Sequence, residues 1–312
     1  RVHRARLLTT GVVCAVKIVE IDTDDEGSRA VVEREIASLR SYSPCPQILQ
    51  ASIAASAGSM ELLLVMELCE HGSMTDVMRK LQGPLTEDET RLTLREVLRG
   101  LDHLHSLGKV HGELKCGNIL LTKDFQPKLS DIGLCRLPLR YSPDPRRITD
   151  PVYWMAPELI KGRAKLSALT DVWALAITSI EMAEAQTPYG HMPGQKAIFV
   201  ISEHPPRGLH KPEAFSKDFS DFLSAALSVD AGLRPSVKAL LTHPFVRCAG
   251  EETDAKQAAK ALCASLWPRL CEEDFRRRAR AWVDRIVPME MLEGDLGVVD
   301  GSGPPKAQMG GS

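Results

Sequence analysis

Three features that would narrow the class of protein at once are missing from this sequence. Its eight cysteines form no CxxC pair and no cysteine–histidine ligand spacing, which favours a reducing, cytoplasmic compartment over a disulfide framework. No apolar run approaches the ~18 residues of a membrane span. The formal net charge is only −2, so no excess of one sign attracts nucleic acid or an anionic membrane. We therefore expect neither as a partner.

The start of the chain lacks two further features. The opening segment RVHRARLL carries positive charge but no apolar stretch, so we expect no signal peptide. It begins with Arg1 rather than Met, which indicates a fragment. What is present is a chain of 312 residues, 44% of them hydrophobic, enough for one large domain or two lobes.

The first part of the chain predicts mainly strands. A run rich in β-branched residues follows a TTG turn, which favours a hairpin. Val32, Ile36 and Leu39 recur at i, i+4 and i+7, which predicts one helix over 28–41. The predicted strands lie near residues 1–8, 12–20, 48–55 and 61–68.

Helices dominate the next part. Thr86 and Glu89 form a capping box that opens a helix ending near Gly108. Residues 167–186 are apolar on most faces, which is typical of a helix buried all round. Short strands are expected on both sides of the loop at 109–118. Two more helices are predicted at 218–228 and 235–242.

The last part of the chain, 248–312, predicts a helix and then a disordered tail. Phe275, Ala279, Trp282 and Ile286 share one helical face. Such a helix lies on the large lobe or leads into a linker. The sharper alternative is a helix that docks a signalling partner.

Four polar residues stand where chemistry could occur. Lys17 lies inside an apolar strand pattern and must snorkel, pair or bind an anion. Glu35 borders the apolar helix stripe and could turn inward to meet Lys17. Asp131 follows a short strand and precedes a glycine, which suits a divalent cation, and Asn118 could offer an oxygen to the same cation. Singly, these residues also fit an edge lysine, a surface glutamate, an Asx turn and a loop-capping amide.

In their order along the chain these signals resemble the signature motifs of the eukaryotic protein kinases. AVKIV and EREIASL resemble the strand lysine and the helix that supplies its glutamate partner. LLVMELCEHGSM is similar to the hinge, VHGELKCGNILL to the catalytic loop, LSDIGL to the metal motif, and YWMAPELI to the end of the activation segment. The resemblance covers about residues 1–247.

The resemblance implies a bilobal α+β kinase fold. The small antiparallel-sheet N-lobe would occupy 1–68 and lack its first strand, and the large helical C-lobe would occupy 69–247. WMAPE, DVWALAITSIEMAEAQTPY, KAIFVISEHPP and LLTHPFV resemble the sterile-20 group, and its mammalian sterile-20-like (Hippo) kinases most. MLEGDLGVV in the tail adds to this likeness. Lys115 in GELKCGN follows the serine/threonine pattern.

Each matching residue acquires an implied role. Lys17, paired with Glu35, would hold the α- and β-phosphates of ATP. Glu113 would stand in the place of the catalytic base, and Lys115 would neutralise the γ-phosphate. Magnesium would be held by Asn118 and Asp131. The residues implied to surround the adenine are Val2, Ala15, Met66, Glu67, Cys69 and Leu120.

The family also implies structural roles. Asp171 would cap the backbone of the catalytic loop, and Glu158 would pair with Arg234. His111 and Ile132 would pack in an internal apolar column with Leu39.

The chain departs from the family pattern in three places. The glycine-rich loop that covers the phosphates would lie upstream of Arg1, and we expect it to have been truncated rather than never encoded. Gly112-Glu113 replaces the family's Arg-Asp, and the lost arginine would otherwise receive an activation-loop phosphate. Pro151 replaces the threonine that ties the catalytic carboxylate to the lysine. Ser142 and Thr149 remain candidate phosphorylation sites.

Two functions therefore stay open. The first is an ATP- and magnesium-dependent serine/threonine kinase acting on protein substrates, slowed because Glu113 adds one methylene to the base. The second is a pseudokinase that acts as a nucleotide-responsive scaffold. The retained magnesium ligands favour the first. The combined loss of the arginine, the aspartate and the activation-segment threonine, grouped around one carboxylate, favours the second.

Overall fold

The computed structural model describes residues 2–20, 45–55, 61–133, 152–206, 208–247 and 255–283. The chain divides into two compact units, Arg1–Leu270 and Cys271–Ser312. The predicted helix over 28–41 and the tail after residue 283 lie outside the described residues.

A four-stranded antiparallel sheet forms the start of the first unit. Its spatial order is β1-β2-β4-β3. Gly11 closes the first hairpin at a left-handed φ of 71°, which glycine adopts without steric cost. The predicted strands are confirmed, at Val2–Arg6 (β1), Val13–Glu20 (β2), Ala51–Ala55 (β3) and Glu61–Glu67 (β4).

A small second sheet lies beside the loop at 109–118. It consists of Gly72–Ser73 (β5), Ile119–Leu121 (β6) and Pro127–Leu129 (β7), in the order β5-β6-β7. The expectation of a strand before the loop was wrong, because residues 109–111 form none. There the backbone N–H of His111 donates to a carboxylate of a helix instead of a strand partner.

Helices build most of the rest of the unit. Thr86 and Glu89 form the predicted capping box, in which each side chain accepts from the other residue's backbone N–H. The helices are Met74–Leu81 (α1), Glu87–Ser106 (α2), Pro157–Ile160 (α3), Ala168–Glu184 (α4), Gly194–Glu203 (α5), Lys217–Ala226 (α6), Val237–Leu240 (α7) and Ala255–Val283 (α8).

Helix α4 is the centre of the core, as its all-round apolar pattern predicts. Trp173 on α4 and Phe219 and Phe222 on α6 are fully buried. Each large apolar side chain buried in this way contributes roughly 1.5–3 kcal/mol. This packing makes α4 a rigid base, and its polar residues can therefore hold a neighbouring loop in a fixed position.

The part of α8 up to Leu270 lies on the helical lobe. Glu89 at the start of α2 is fully buried, and its carboxylate accepts from Ser265 Oγ at 2.6 Å and from Arg269 Nη1. Arg269 Nη2 also donates to the Pro84 carbonyl at 3.0 Å. The apolar face proposed through Phe275 lies outside the side chains that the structure describes.

Candidate active site

Asp171 on α4 fixes the start of the loop at 109–118. Its Oδ2 accepts from the His111 N–H at 2.8 Å, and its Oδ1 accepts from the Gly112 N–H at 2.9 Å. His105 Nε2 contacts the same Oδ2 at 2.8 Å. The predicted backbone cap is therefore confirmed. Because Asp171 is only 1% exposed, these partners are what satisfy its buried oxygens.

Two further residues of α4 hold the other end of the loop. Glu181 Oε2 accepts from the Cys116 N–H at 3.0 Å and from Trp154 Nε1 at 3.0 Å. Thr178 Oγ1 donates to the Leu114 carbonyl at 3.4 Å. Since positions 171, 178 and 181 recur at i, i+7 and i+10, they share one face of the helix. Burial raises the pKa of the Glu181 carboxyl.

Sequence reasoning missed Glu181. The signal available was a glutamate inside a largely apolar helical run, since such a residue must find partners when it is buried. Cys116 beside it is also fully buried, and burial raises the pKa of its thiol well above the ordinary value. It is therefore a packing residue rather than a nucleophile.

Glu113 and Lys115 lie between these two anchors. Glu113 Oε1 and Lys115 Nζ are 2.7 Å apart, and both side chains are partly exposed. Lys115 Nζ also lies 5.9 Å from the centre of the Trp154 ring, within range of a cation–π contact. A carboxylate that can accept a proton and a cation that can contact a phosphate thus stand side by side. Both line a small pocket with Gly112, Leu114, Trp154, Met155, Leu159, Leu166, Thr170, Asp171 and Ala174.

Asn118 and Asp131 are brought together by backbone contacts. Ser130, which precedes Asp131, donates from its N–H to the Asn118 carbonyl at 2.9 Å. Asn118 Nδ2 donates to the Glu113 carbonyl at 2.7 Å, so its Oδ1 is left for another partner. Asp131 has a left-handed φ of 60°, and its Oδ2 lies 2.7 Å from Lys17 Nζ. One carboxylate and one amide oxygen fit magnesium, which completes its shell with water and phosphate oxygens.

The strand register places the predicted adenine residues on one face of the sheet. Val2 lies opposite Lys17, and Ala15 opposite Met66. Directly opposite residues point to the same face, and so do residues two apart along a strand. All four side chains therefore share the face that carries Lys17. Ala15 and Met66 are buried and Val2 is exposed.

The other predicted nucleotide residues lie at the junction of the two sheets. Glu67 ends β4, and Cys69 follows it as a buried residue whose pKa burial raises to about 12. Leu120 lies on β6 and is half-buried. The described residues thus place every predicted site residue except Glu35 on the two sheets, in the segments that follow them, or in the loop at 109–118.

Comparison with known proteins agrees with this geometry. The protein kinase domain family model matches residues 1–246. This chain is a member of the protein kinase family. Its bilobal α+β fold is therefore the one that the sequence motifs predict.

Two relatives show which kinases the chain is similar to. Serine/threonine-protein kinase dst3 of Dictyostelium discoideum is 37% identical over 232 residues, which are 74% of this chain. Serine/threonine-protein kinase dst2 of the same organism is 36% identical over 248 residues, or 78% of this chain. The match spans less than half of each relative, 41% and 21% of their lengths.

The kinase C-lobe has the structural ion pair that the motifs predict. Arg234 is 0% exposed at its side chain, and its Nη1 and Nη2 donate to the Glu158 carboxylate at 2.6 and 2.8 Å. His111 and Ile132 are buried as predicted. In the part of the chain that the structure describes, no helix is long and apolar enough to span a membrane.

Several kinase residues named above fall outside the described residues. They are Glu35, Leu39, Ser142, Thr149 and Pro151.

Proposed function

We propose that this chain is an ATP- and magnesium-dependent serine/threonine protein kinase of the sterile-20 type with reduced turnover. The contact between Lys17 and Asp131, 2.7 Å apart, carries the proposal. It joins the strand lysine of the N-lobe to the metal motif of the C-lobe, as a phosphate site between two lobes requires. We assign the N-lobe to 1–68, the C-lobe to 69–247 and a C-terminal extension to 248–312.

The residues divide the work of binding ATP. Lys17 holds the α- and β-phosphates and pairs with Glu35. Asn118 and Asp131 bind magnesium, which neutralises charge on the phosphate oxygens when bound. Adenine lies between Val2, Ala15 and Leu120, beside Met66, and meets the backbone from Glu67 to Cys69.

Glu113 and Lys115 act on the transferred group. Glu113 accepts the proton of the serine or threonine hydroxyl, and Lys115 stabilises the charge that develops on the γ-phosphate. A glutamate places its carboxylate about 1.5 Å further from the backbone than an aspartate does. A misplacement of about 1 Å can lower a rate on the order of 100-fold, so turnover is slow.

A pseudokinase that scaffolds a partner is the second candidate. The observation that favours it is in the sequence, where Gly112, Glu113 and Pro151 replace the family's arginine, aspartate and threonine. In that case the nucleotide would tune binding of a signalling partner, with the C-terminal helix as its docking element. Both candidates place the protein in the cytoplasm, with no nucleic acid or membrane as partner.

Transfer of labelled γ-phosphate from ATP-Mg to a generic serine/threonine acceptor separates the two. Asp131→Asn serves as the blank, because it removes the metal carboxylate and changes almost no volume. Transfer above this blank is the expected result. Transfer equal to the blank, in protein that still binds nucleotide, would leave the scaffold as the function.

A further inference from the structure

A second ion pair joins the two lobes, at the predicted hinge residue Glu67. Lys128 Nζ on β7 lies 2.7 Å from Glu67 Oε1 at the end of β4. The Lys128 side chain is 11% exposed and that of Glu67 is 36% exposed. The same Oε1 accepts from the Gln50 N–H at 3.2 Å. Glu67 is thus held from two sides.

The two interlobe ion pairs belong to one closed ring of contacts. In the N-lobe, β2 is paired with β4, with Lys17 opposite Leu64 and Cys14 opposite Glu67. In the C-lobe, Lys128 and Asp131 are three residues apart on one continuous segment. Lys17 reaches Asp131, and Glu67 reaches Lys128. The two ion pairs have opposite charge directions. The N-lobe supplies the cation Lys17 to one pair and the anion Glu67 to the other.

The segment from Lys128 to Asp131 is also fixed in place. Leu129 donates from its N–H to the Gln47 carbonyl at 2.8 Å and accepts from the Leu49 N–H at 2.8 Å. Leu129 lies between Lys128 and Asp131, so these hydrogen bonds hold the backbone that joins the two charged residues.

We propose that Glu67 and Lys128 are positioning residues that set the distance between the adenine end and the phosphate end of the nucleotide site. The inference rests on the proposed ATP site. Glu67 belongs to the hinge that adenine contacts, and Asp131 belongs to the metal and phosphate end. When nucleotide is bound, Lys17 and Asp131 engage phosphate and magnesium. The Glu67–Lys128 pair binds neither phosphate nor magnesium, so it stays formed and keeps the distance between the adenine end and the phosphate end constant.

The proposal predicts an effect that depends on ligand length. ATP-Mg must meet both ends of the site at once, whereas adenosine meets only the hinge end. Loss of the ion pair should therefore weaken binding of ATP-Mg by about 5-fold. Binding of adenosine should stay nearly unchanged, because adenine meets only the backbone at Glu67. A purely structural contact would lower stability without separating the two ligands.

This expectation is tested by measuring the dissociation constants of ATP-Mg and of adenosine in the full-length protein. Each ligand is made to compete with a fluorescent nucleotide. Lys128→Met keeps the buried aliphatic part of the lysine and removes its charge. Glu67→Gln keeps the side-chain length of the glutamate and removes its charge. The double variant should bind ATP-Mg no more weakly than either single variant, because the pair is lost once. Lys217→Met is the matched control, since Lys217 is 89% exposed and pairs with Asp221 on the surface of α6.

Each result decides between the possibilities. A selective loss of ATP-Mg affinity supports the proposal. Equal losses for both ligands, or no loss, would overturn it. If the unaltered protein bound neither ligand, the proposed ATP site itself would be wrong, and the inference would fall with it.

Discussion

Glu113 and Lys115 form a direct ion pair, with Oε1 and Nζ 2.7 Å apart. The family pattern uses a threonine hydroxyl to tie these two groups together, and Pro151 cannot supply one. Here the longer glutamate reaches the lysine unaided. The same contact draws the carboxylate toward Lys115 rather than toward an incoming hydroxyl.

Glu113→Asp should therefore raise the rate of phosphate transfer by about 10- to 100-fold, because the shorter side chain places the base closer to the position the reaction needs. Single-turnover rates at saturating ATP-Mg measure the chemical step alone. Glu113→Gln is the control and should be slower than the unaltered protein, since an amide cannot accept the proton. An aspartate variant no faster than the glutamate would show that Glu113 is not the limiting base.

Gly112→Arg should destabilise the protein by about 1 kcal/mol rather than simply restore the family residue. Gly112 has a left-handed φ of 83°, which is costly for any residue with a Cβ. The free energy of unfolding in urea measures the change. Gly112→Ala should lose a similar amount, because the strain comes from the backbone. Full stability in both variants would contradict the argument.

Asp171→Asn should lower the free energy of unfolding by about 1–3 kcal/mol. The amide nitrogen would face backbone N–H donors at His111 or Gly112, and one of them would lose its acceptor. Urea denaturation gives the difference. The matched control is Asp124→Asn, at an exposed position, which should change little. Equal effects at the two positions would rule out a special role for the cap.

Arg269→Met should lower stability by about 3 kcal/mol at neutral pH, because the buried Glu89 carboxylate would lose its cation. Burial alone raises the pKa of Glu89, but hydrogen bonds from Arg269, Ser265 and the Thr86 N–H outweigh it and hold that pKa below its ordinary value. A carboxyl whose pKa is lowered by folding stabilises the fold at pH values above its pKa in the unfolded chain. This stabilisation is lost as the pH falls through its pKa in the folded protein.

The deficit of Arg269→Met should therefore shrink as the pH falls below about 4. Urea midpoints at pH 7 and pH 3.5 provide the comparison. Arg163→Met, at an exposed position, controls for the loss of one positive charge. A deficit that did not change with pH would mean that the helix is held by packing alone.

Glu181→Gln should gain stability relative to the unaltered protein as the pH rises. Burial raises the pKa of Glu181 in the folded protein. Its protonated carboxyl therefore stabilises the fold fully below the unfolded pKa of about 4.3, and this stabilisation is lost as the pH rises through the pKa of the folded state. The difference in unfolding free energy between the two proteins, measured at pH 5 and pH 7, tests the sign. Glu213→Gln, at an exposed position, should show no such change.

Much of the site could be predicted because its residues stand out against their surroundings. Lys17 interrupts an apolar strand, and Thr86 and Glu89 have a spacing that only a helix start explains. The Glu67–Lys128 contact could not be predicted in this way, because both residues also fit ordinary exposed positions on a strand.

The sequence by itself determined the strands of the first sheet, the long helices α2 and α4, the order of the motifs and the family, because each depends on residue types at short spacing. Only the tertiary structure decided how the loop at 109–118 is held. Asp171, Thr178 and Glu181 are spread over eleven residues of a helix. They hold the loop together only because the helix places them on one face and packs that face against the loop. The same holds for the two interlobe ion pairs, whose partners lie 114 and 61 residues apart in the chain.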